Sequence, residues 1–280
     1  MRVLALILLL LAAPVQAAEL KFSTWNIGWA TLRPPSELPR DVIRRSDSDW
    51  RLLRDYARRL DADVVALQEV DGPEIAARIF DPRTYAFFFA DENDTQRTGF
   101  AVRRTLRVTR NEDLLGLDLR PDARFSLRRG ADITIEAGGN RIRLLSIHLK
   151  AGCMEGSMDR SRECDDLTQQ AAVLAGWIAQ RRRENAPFLI MGDFNRRMRG
   201  PDDEFLARLN APLARATENQ SSPCFAGARG GRPFIDHIMA GGAARGWMRP
   251  DTLRVMVYAE RDARDRVSDH CPVSVGLRLP

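Results

Sequence analysis

Histidine is scarce in this chain, with three among 280 residues, and lysine is scarcer still, confined to Lys21 and Lys150. Cysteine is limited to four, and neither a Cys-x-x-Cys pair nor a His-x-x-x-His pair occurs. That removes the spacings of structural and catalytic zinc. No Gly-x-Ser-x-Gly elbow and no Walker phosphate loop is present, which excludes the usual serine-hydrolase and P-loop sites. Past the N-terminus no apolar run is long enough to cross the ~30 Å hydrocarbon core of a bilayer. No internal repeat and no low-complexity linker divides the chain, so a single domain over 18–280 is expected.

What is present begins with an ordinary globular composition. Hydrophobic residues make up 44% and charged residues 29%, which excludes a disordered or fibrous chain. At the N-terminus, Arg2 precedes a continuous apolar run from Val3 to Ala13. Pro14-Val15-Gln16-Ala17 then places small residues at Val15 and Ala17, where a signal peptidase reads. Residues 1–17 are therefore expected to be a secretory signal of bacterial type, cleaved after Ala17, rather than a membrane anchor. No cysteine follows the site, so no lipid anchor is expected. The mature chain is expected in the periplasm or outside the cell, as a monomer without an integral membrane segment.

Export makes disulfides reasonable. Cys153 and Cys164 flank a polar loop too irregular to be held by packing, and that pair is favoured. Cys224 with Cys271 then follows by elimination, against the alternative that Cys271 is a buried free thiol. The formal charge of +5 and a pI near 9.4 favour polyanionic partners. The weight of that is small, because the charge is scattered and its skew to arginine is what coding bias alone produces.

Strands and helices alternate. Strands are expected at Leu20–Trp25, Ala62–Val70, Tyr85–Ala90, Phe100–Val108, Pro187–Phe194, Phe234–Met239, Leu253–Tyr258 and Pro272–Leu279. A hairpin is expected within Phe125–Lys150, turning at Gly138-Gly139-Asn140. Helices are expected at Ser48–Leu60, Pro73–Ile79, Asp166–Arg183 and Pro201–Leu209. Hairpins mixed with crossovers fit an α/β four-layer sandwich, two packed mixed sheets flanked by helices.

Several apolar strands end in polar residues that a plain strand would not choose. Asn26 closes Phe22–Asn26, Glu69 closes Val64–Glu69, and His148 closes Leu144–His148. Asp193 and Asn195 end Phe188–Asn195. Asp236 and His237 lie in the next apolar segment, and Asp269-His270 precedes the last strand. Functional groups gather where strand ends open into loops, so these six segments are expected to converge. All three histidines lie in them. Carboxylates with amides make a hard oxygen-ligand set suited to magnesium or manganese, and with imidazoles they suit phosphoester hydrolysis.

The segments Thr24-Trp-Asn26, Leu67-Gln-Glu69, Ser146-Ile-His148-Leu-Lys150, Gly192-Asp193-Phe-Asn195, Ile235-Asp236-His237 and Ser268-Asp269-His270 resemble the endonuclease/exonuclease/phosphatase superfamily. That group includes DNase I-like nucleases, abasic-site endonucleases, sphingomyelinases and inositol-polyphosphate phosphatases. The resemblance runs from about Phe22 to the C-terminus, and it implies a DNase I-like fold and a divalent cation, Mg2+ or Mn2+. It implies Glu69 as principal metal ligand, with Asn26 and Asp269 in support. Asp193 resembles the residue that positions or deprotonates the attacking water, and Asn195 the one that holds phosphate or a second metal. His270 resembles the histidine at the scissile phosphate, oriented by Asp236, with His148 donating to a phosphate oxygen. In-line attack by water is the implied reaction.

His237 is expected to point into the sheet rather than the site. Lys150 and Arg97 are candidate phosphate-binding residues, each against a plainer reading as a strand edge or a solvated face. Gln96–Gly99 is a candidate loop beside the cleft. Phe87-Phe88-Phe89 reads as a core strand rather than a membrane-touching patch. A nuclease is the first functional reading, with nucleic acid as substrate. A phosphodiesterase or phosphatase for small or lipid head-group phosphates is the second. A non-catalytic polyanion-binding protein on the same scaffold is the third.

Overall fold

The structure, a computed structural model, describes residues 19–40, 42, 44–123, 126–226 and 231–280. The expected leader over residues 1–17 and the first residue of the expected hairpin segment, Phe125, lie outside the described residues.

In chain order the elements are β1 (Glu19–Ala30), α1 (Asp47–Leu60), β2 (Val64–Val70), α2 (Pro73–Ile79), β3 (Tyr85–Phe89), β4 (Gly99–Arg103) and β5 (Arg107–Arg110). There follow β6 (Ala131–Ala137), β7 (Asn140–His148), α3 (Arg162–Arg183), β8 (Phe188–Asp193), α4 (Glu204–Leu209) and β9 (Ala214–Arg215). The chain closes with β10 (Asp236–Gly241), α5 (Ala244–Trp247), β11 (Met248–Val255), α6 (Ala263–Arg266) and β12 (Val273–Arg278). One six-stranded sheet has the order β11-β12-β1-β2-β4-β3, and a second has β5-β6-β7-β8-β10-β9.

Three apolar clusters build the four layers. Between the sheets lie Phe22, Val64, Ala66 and Phe100 of the first and Ile133, Leu144, Leu189, Met191 and Ile238 of the second. Outside the first sheet, Val65, Leu67 and Ala101 meet Trp50, Leu53, Tyr56 and Leu60 of α1 and Ile75 and Ile79 of α2. Outside the second, Leu145, Ile147, Phe188 and Ile190 meet Leu167, Leu174, Trp177 and Ile178 of α3. The alternation of Val64 and Ala66 with Val65 and Leu67 sends successive side chains to opposite faces. Both faces are covered, so β2 reads as an unbroken apolar run.

Several boundaries differ from the sequence reading. The segment expected as one strand, Phe100–Val108, is two strands belonging to different sheets, β4 and β5. The turn between them hands the chain from one sheet to the other, and no glycine or proline marks it. α1 begins just after its cap, where the Ser46 hydroxyl accepts from Asp49 N–H and the Asp49 carboxylate accepts from Ser46 N–H, a reciprocal capping box. Ser161 caps α3 in the simpler way. The strand expected at Leu253–Tyr258 is shifted to Met248–Val255, where Pro250 and Asp251 fall in a register irregularity. Phe87-Phe88-Phe89 form β3, with Phe89 buried and Phe87 and Phe88 packing against clusters on opposite faces of the first sheet. Arg103 pairs with Asp61 and Asp63, and Arg104 donates to the Pro82 carbonyl.

Each sheet contains one parallel pair, β1 with β2 and β7 with β8. Parallel strands share a carboxyl end, and in open α/β sheets that end is where ligands bind. Glu69, His148 and Asp193 stand at or next to the carboxyl ends of β2, β7 and β8, and Asn26 stands where the β1–β2 register breaks.

Candidate active site

In the second sheet the register does the positioning. His148 of β7 is paired with Asp193 of β8, and Asp193 with Asp236 of β10, so the three share one rung. The rung is brought close by Gly192. Its φ is +151°, and a Cβ there would stand 2.0 Å from the Ile147 carbonyl oxygen. Only glycine lets β7 and β8 approach at that position.

In the first sheet the backbone bends instead. Asn26 is paired with Gln68, and the next residue of β2, Glu69, takes φ +57°. Gly28 and Trp29 follow Asn26 with φ +55° and +51°. These left-handed turns aim the Glu69 carboxylate back over β1, where Oε2 accepts from Trp29 N–H at 3.0 Å. Arg45, which is half-buried, clamps the corner by donating to the carbonyls of Ile27, Gly28, Trp29 and Val267. Burial lowers its guanidinium pKa to about 10, which leaves it charged. Below the corner, Thr24 donates to Gln68, and Gln68 donates to Ser146, a buried polar bridge between the sheets.

The two ends meet through Asn26. Its amide donates to Glu69 Oε1 at 3.1 Å and to Asp193 Oδ2 at 3.2 Å, and its carbonyl oxygen accepts from Gly28 N–H. His148 Nε2 lies 3.7 Å from both Glu69 Oε1 and Asp193 Oδ2. His270 Nε2 is 3.7 Å from Asp193 Oδ2, and its Nδ1 donates to Asp236 at 2.9 Å. Tyr258 fixes the His270 segment by donating to its carbonyl, and Trp25 donates to the Tyr258 hydroxyl. Asp193 Oδ1 accepts from Asn195 N–H at 2.8 Å, while the Asn195 amide donates to the Leu149 carbonyl. The residues thus form both a local turn and part of the site.

Charge is distributed unevenly. Burial pushes Asp193 up to about 7, reinforced by Asp236 and Glu69 and opposed by His270. Burial works against the charge on His270, but Asp236 and then Asp193 outweigh it and hold this imidazole well above the ordinary range. His148 goes the other way: burial, with Arg128 and His270 nearby, holds its pKa well below the ordinary range and keeps it neutral. Its Nδ1 is buried without a partner among the described residues.

A cleft of about 570 Å³ opens over these groups and is lined by Glu69, His148, Asp193, Asn195, Asp269 and His270. Lys150 also lines it, as do Arg33, Asn93–Gln96 and Arg128. Asn26 and Asp236 lie beneath, as supports of the lining residues. Asp269 is mostly exposed at the rim, its Oδ1 4.0 Å from His270 Nε2. Arg97 does not line the cleft; its guanidinium sits beside Gly72 and donates to the Asp94 carbonyl. The candidate loop contributes Gln96, whereas Thr98 is buried just before β4 and Gly99 begins that strand.

His237 points away from the cleft. Its Nε2 donates to the Arg196 carbonyl at 3.0 Å, so Nδ1 accepts from Thr217 Oγ1, and burial pushes its pKa down to about 3. It is a neutral core histidine packed edge-on to Phe194. Arg45, Arg128 and Tyr258 escaped the sequence reading. Arg45 has no local signal, and Tyr258 lay inside a segment read as plain strand. Both cysteine pairs are bridged, Cys153 with Cys164 and Cys224 with Cys271, consistent with an exported protein. No helix among the described residues is long and apolar enough to cross a membrane.

Two packed mixed sheets flanked by helices, with polar carboxyl ends converging on one cleft, define the DNase I-like fold. A model of the Endonuclease/Exonuclease/phosphatase family matches residues 23–270, and the chain belongs to that family, whose members are metal-dependent phosphoester hydrolases. Solved structures agree on the fold. TDP2 from C. elegans is 16% identical, with a TM-score of 0.61 over 96% of this chain and 78% of that one. The human Nocturnin catalytic domain with a bound sulfate anion is 16% identical, with a TM-score of 0.59 over 95% of each chain. A variant of the 3' phosphatase NExo from Neisseria, bound to a product DNA hairpin, is 17% identical, with a TM-score of 0.55 over 93% of this chain and 100% of that one. No curated protein matches the sequence.

The family implies a divalent cation, and the donor set fits one. Glu69 and Asp193 face each other across the cleft floor, and among the described residues neither pairs with a lysine or arginine. Such crowded carboxylates are what a hard cation relieves. Asp193, Asp236 and His270 also bring ligand atoms within 4.8 Å of one another. That closeness is the His270–Asp236 ion pair, and a protonated imidazole has no lone pair left for a metal.

Proposed function

We propose that the chain is an exported phosphodiesterase that cuts nucleic acid by in-line attack of water at phosphorus, using magnesium or manganese. The observation that carries this reading is the meeting of Asn26, Glu69, His148, Asp193 and the His270–Asp236 pair in one cleft. Glu69 would hold the cation, with Asn26 and Asp269 in support. When bound, the cation supplies neutralisation of phosphate charge.

The chain's own residues do the rest. Asp193 orients the attacking water and takes its proton, and Asn195 steadies a phosphate oxygen. His270, charged through Asp236, donates from Nε2 to the oxygen on which charge develops. His148, though neutral, still has one N–H to donate. Substrate binding is supported by Lys150, Arg33 and Arg128 at the cleft wall and by the net charge of +5. Export is supported by the N-terminal residues 1–17 and by the two disulfides.

The test is cleavage of plasmid DNA, RNA and an aryl phosphodiester by the mature protein, with metal or chelator. The reading expects chelator-sensitive cutting of a nucleic acid. Aryl-diester turnover with both nucleic acids intact would redirect it to small phosphodiesters.

A further inference from the structure

A second pocket of about 200 Å³ lies on the far side of the catalytic residues, and Asp269 and His270 line both it and the main cleft. Its other walls include Arg197, Arg232, Arg264 and Phe225. Arg264 lies over Phe225, 4.3 Å from the ring centroid, so its guanidinium is held at the rim. Arg197 is tied to Glu155 Oε1 at 3.4 Å. Neither Arg232 nor Arg264 pairs with a described carboxylate, and among the described residues the only acid in the pocket wall is Asp269. A cation cluster is costly through self-repulsion and is relieved by an anion.

The pocket is also pinned to the chemistry. Cys224, next to Phe225, is bridged to Cys271, next to His270, with Cα atoms 5.7 Å apart. The bridge ties the Phe225 side of the pocket, over which Arg264 lies, to the segment carrying His270.

We propose that this pocket is a subsite for a second phosphate of a nucleic-acid strand, next to the scissile one. This rests on the nuclease reading. Lys150 and Arg128 grip the strand on one side of His270, and Arg232 and Arg264 grip it on the other. A substrate with a single isolated phosphodiester leaves the pocket unused.

The experiment compares the mature protein with its R232A/R264A variant on a single-stranded oligonucleotide and on bis(4-nitrophenyl) phosphate. Both arginines are exposed, so the fold is unaffected, and aryl-diester turnover is the internal reference. The ratio of kcat/KM for oligonucleotide over aryl diester should fall at least about tenfold, and the slope of log kcat/KM against log salt should become shallower by about 0.7, one single-strand phosphate contact. An unchanged ratio and slope would overturn the subsite while leaving the nuclease reading intact. A wild-type protein that turns over the aryl diester but leaves the oligonucleotide whole would remove both.

Discussion

The two sheets reach the same cleft by opposite means. The second sheet is regular where it matters: His148, Asp193 and Asp236 share a rung, and pairing alone brings them together. The first sheet is irregular there. Register alone would set Gln68 beside Asn26, and only the left-handed turn at Glu69 brings the carboxylate round. On the proposed reading, the cation-binding oxygen atoms would sit on a bent corner and the proton-handling groups on a straight ladder. Bending the backbone costs about 1–3 kcal/mol per residue, and here the Arg45 clamp offsets it.

Breaking the ladder should have the largest effect. Asp193→Asn should lower turnover about 10²–10⁴-fold, the scale of a lost general base. Its melting temperature should hold or rise, because burial of a carboxylate is relieved. Kinetics on an aryl diester with a thermal melt checks both, and near-normal turnover would end the assignment. Glu69→Gln should cost about 10²–10³-fold, on the scale of a lost electrostatic stabiliser. Part of that loss should return at raised magnesium, and no such rescue is expected for Asp193→Asn. Equal rescue of the two would erase the division between the sheets.

The remaining contrasts concern stability. Gly192→Ala should destabilise by about 3 kcal/mol in urea unfolding, since a Cβ must displace backbone rather than a flexible side chain. Arg45→Met should cost about 2–3 kcal/mol, as charged-donor hydrogen bonds to the corner carbonyls are lost. A smaller effect, about 1–2 kcal/mol once solvent screening of this part-exposed carboxyl is allowed for, is expected from Glu92, beside the cleft loop. Burial raises its pKa to about 7, despite the N–H it accepts from Arg129. A carboxyl raised on folding favours the native state below its unfolded pKa and loses that benefit as pH rises toward 7. Glu92→Gln should therefore melt higher than wild type at pH 8 and alike at pH 4. A pH series of melts decides it.

Much of this was legible in the sequence because the site lies at the ends of apolar strands, where a polar residue stands out against its neighbours. Asn26, Glu69, His148 and Asp193 were found that way. Strand ends were less legible where sheets exchange: the step from β4 to β5 lacks a turn residue, so two strands read as one. Cleft residues reached across long loops, such as Arg128, carry no periodic signal. Arg97 illustrates the converse, since a basic residue close to the site in sequence folds back on its own loop.

The Asn26 amide touches a carboxylate from each sheet at once. The second layer alone holds the His148–Asp193–Asp236 rung, but the Glu69 carboxylate comes from the first. On the proposed reading, competence therefore requires both layers to be docked, with Asn26 bridging them.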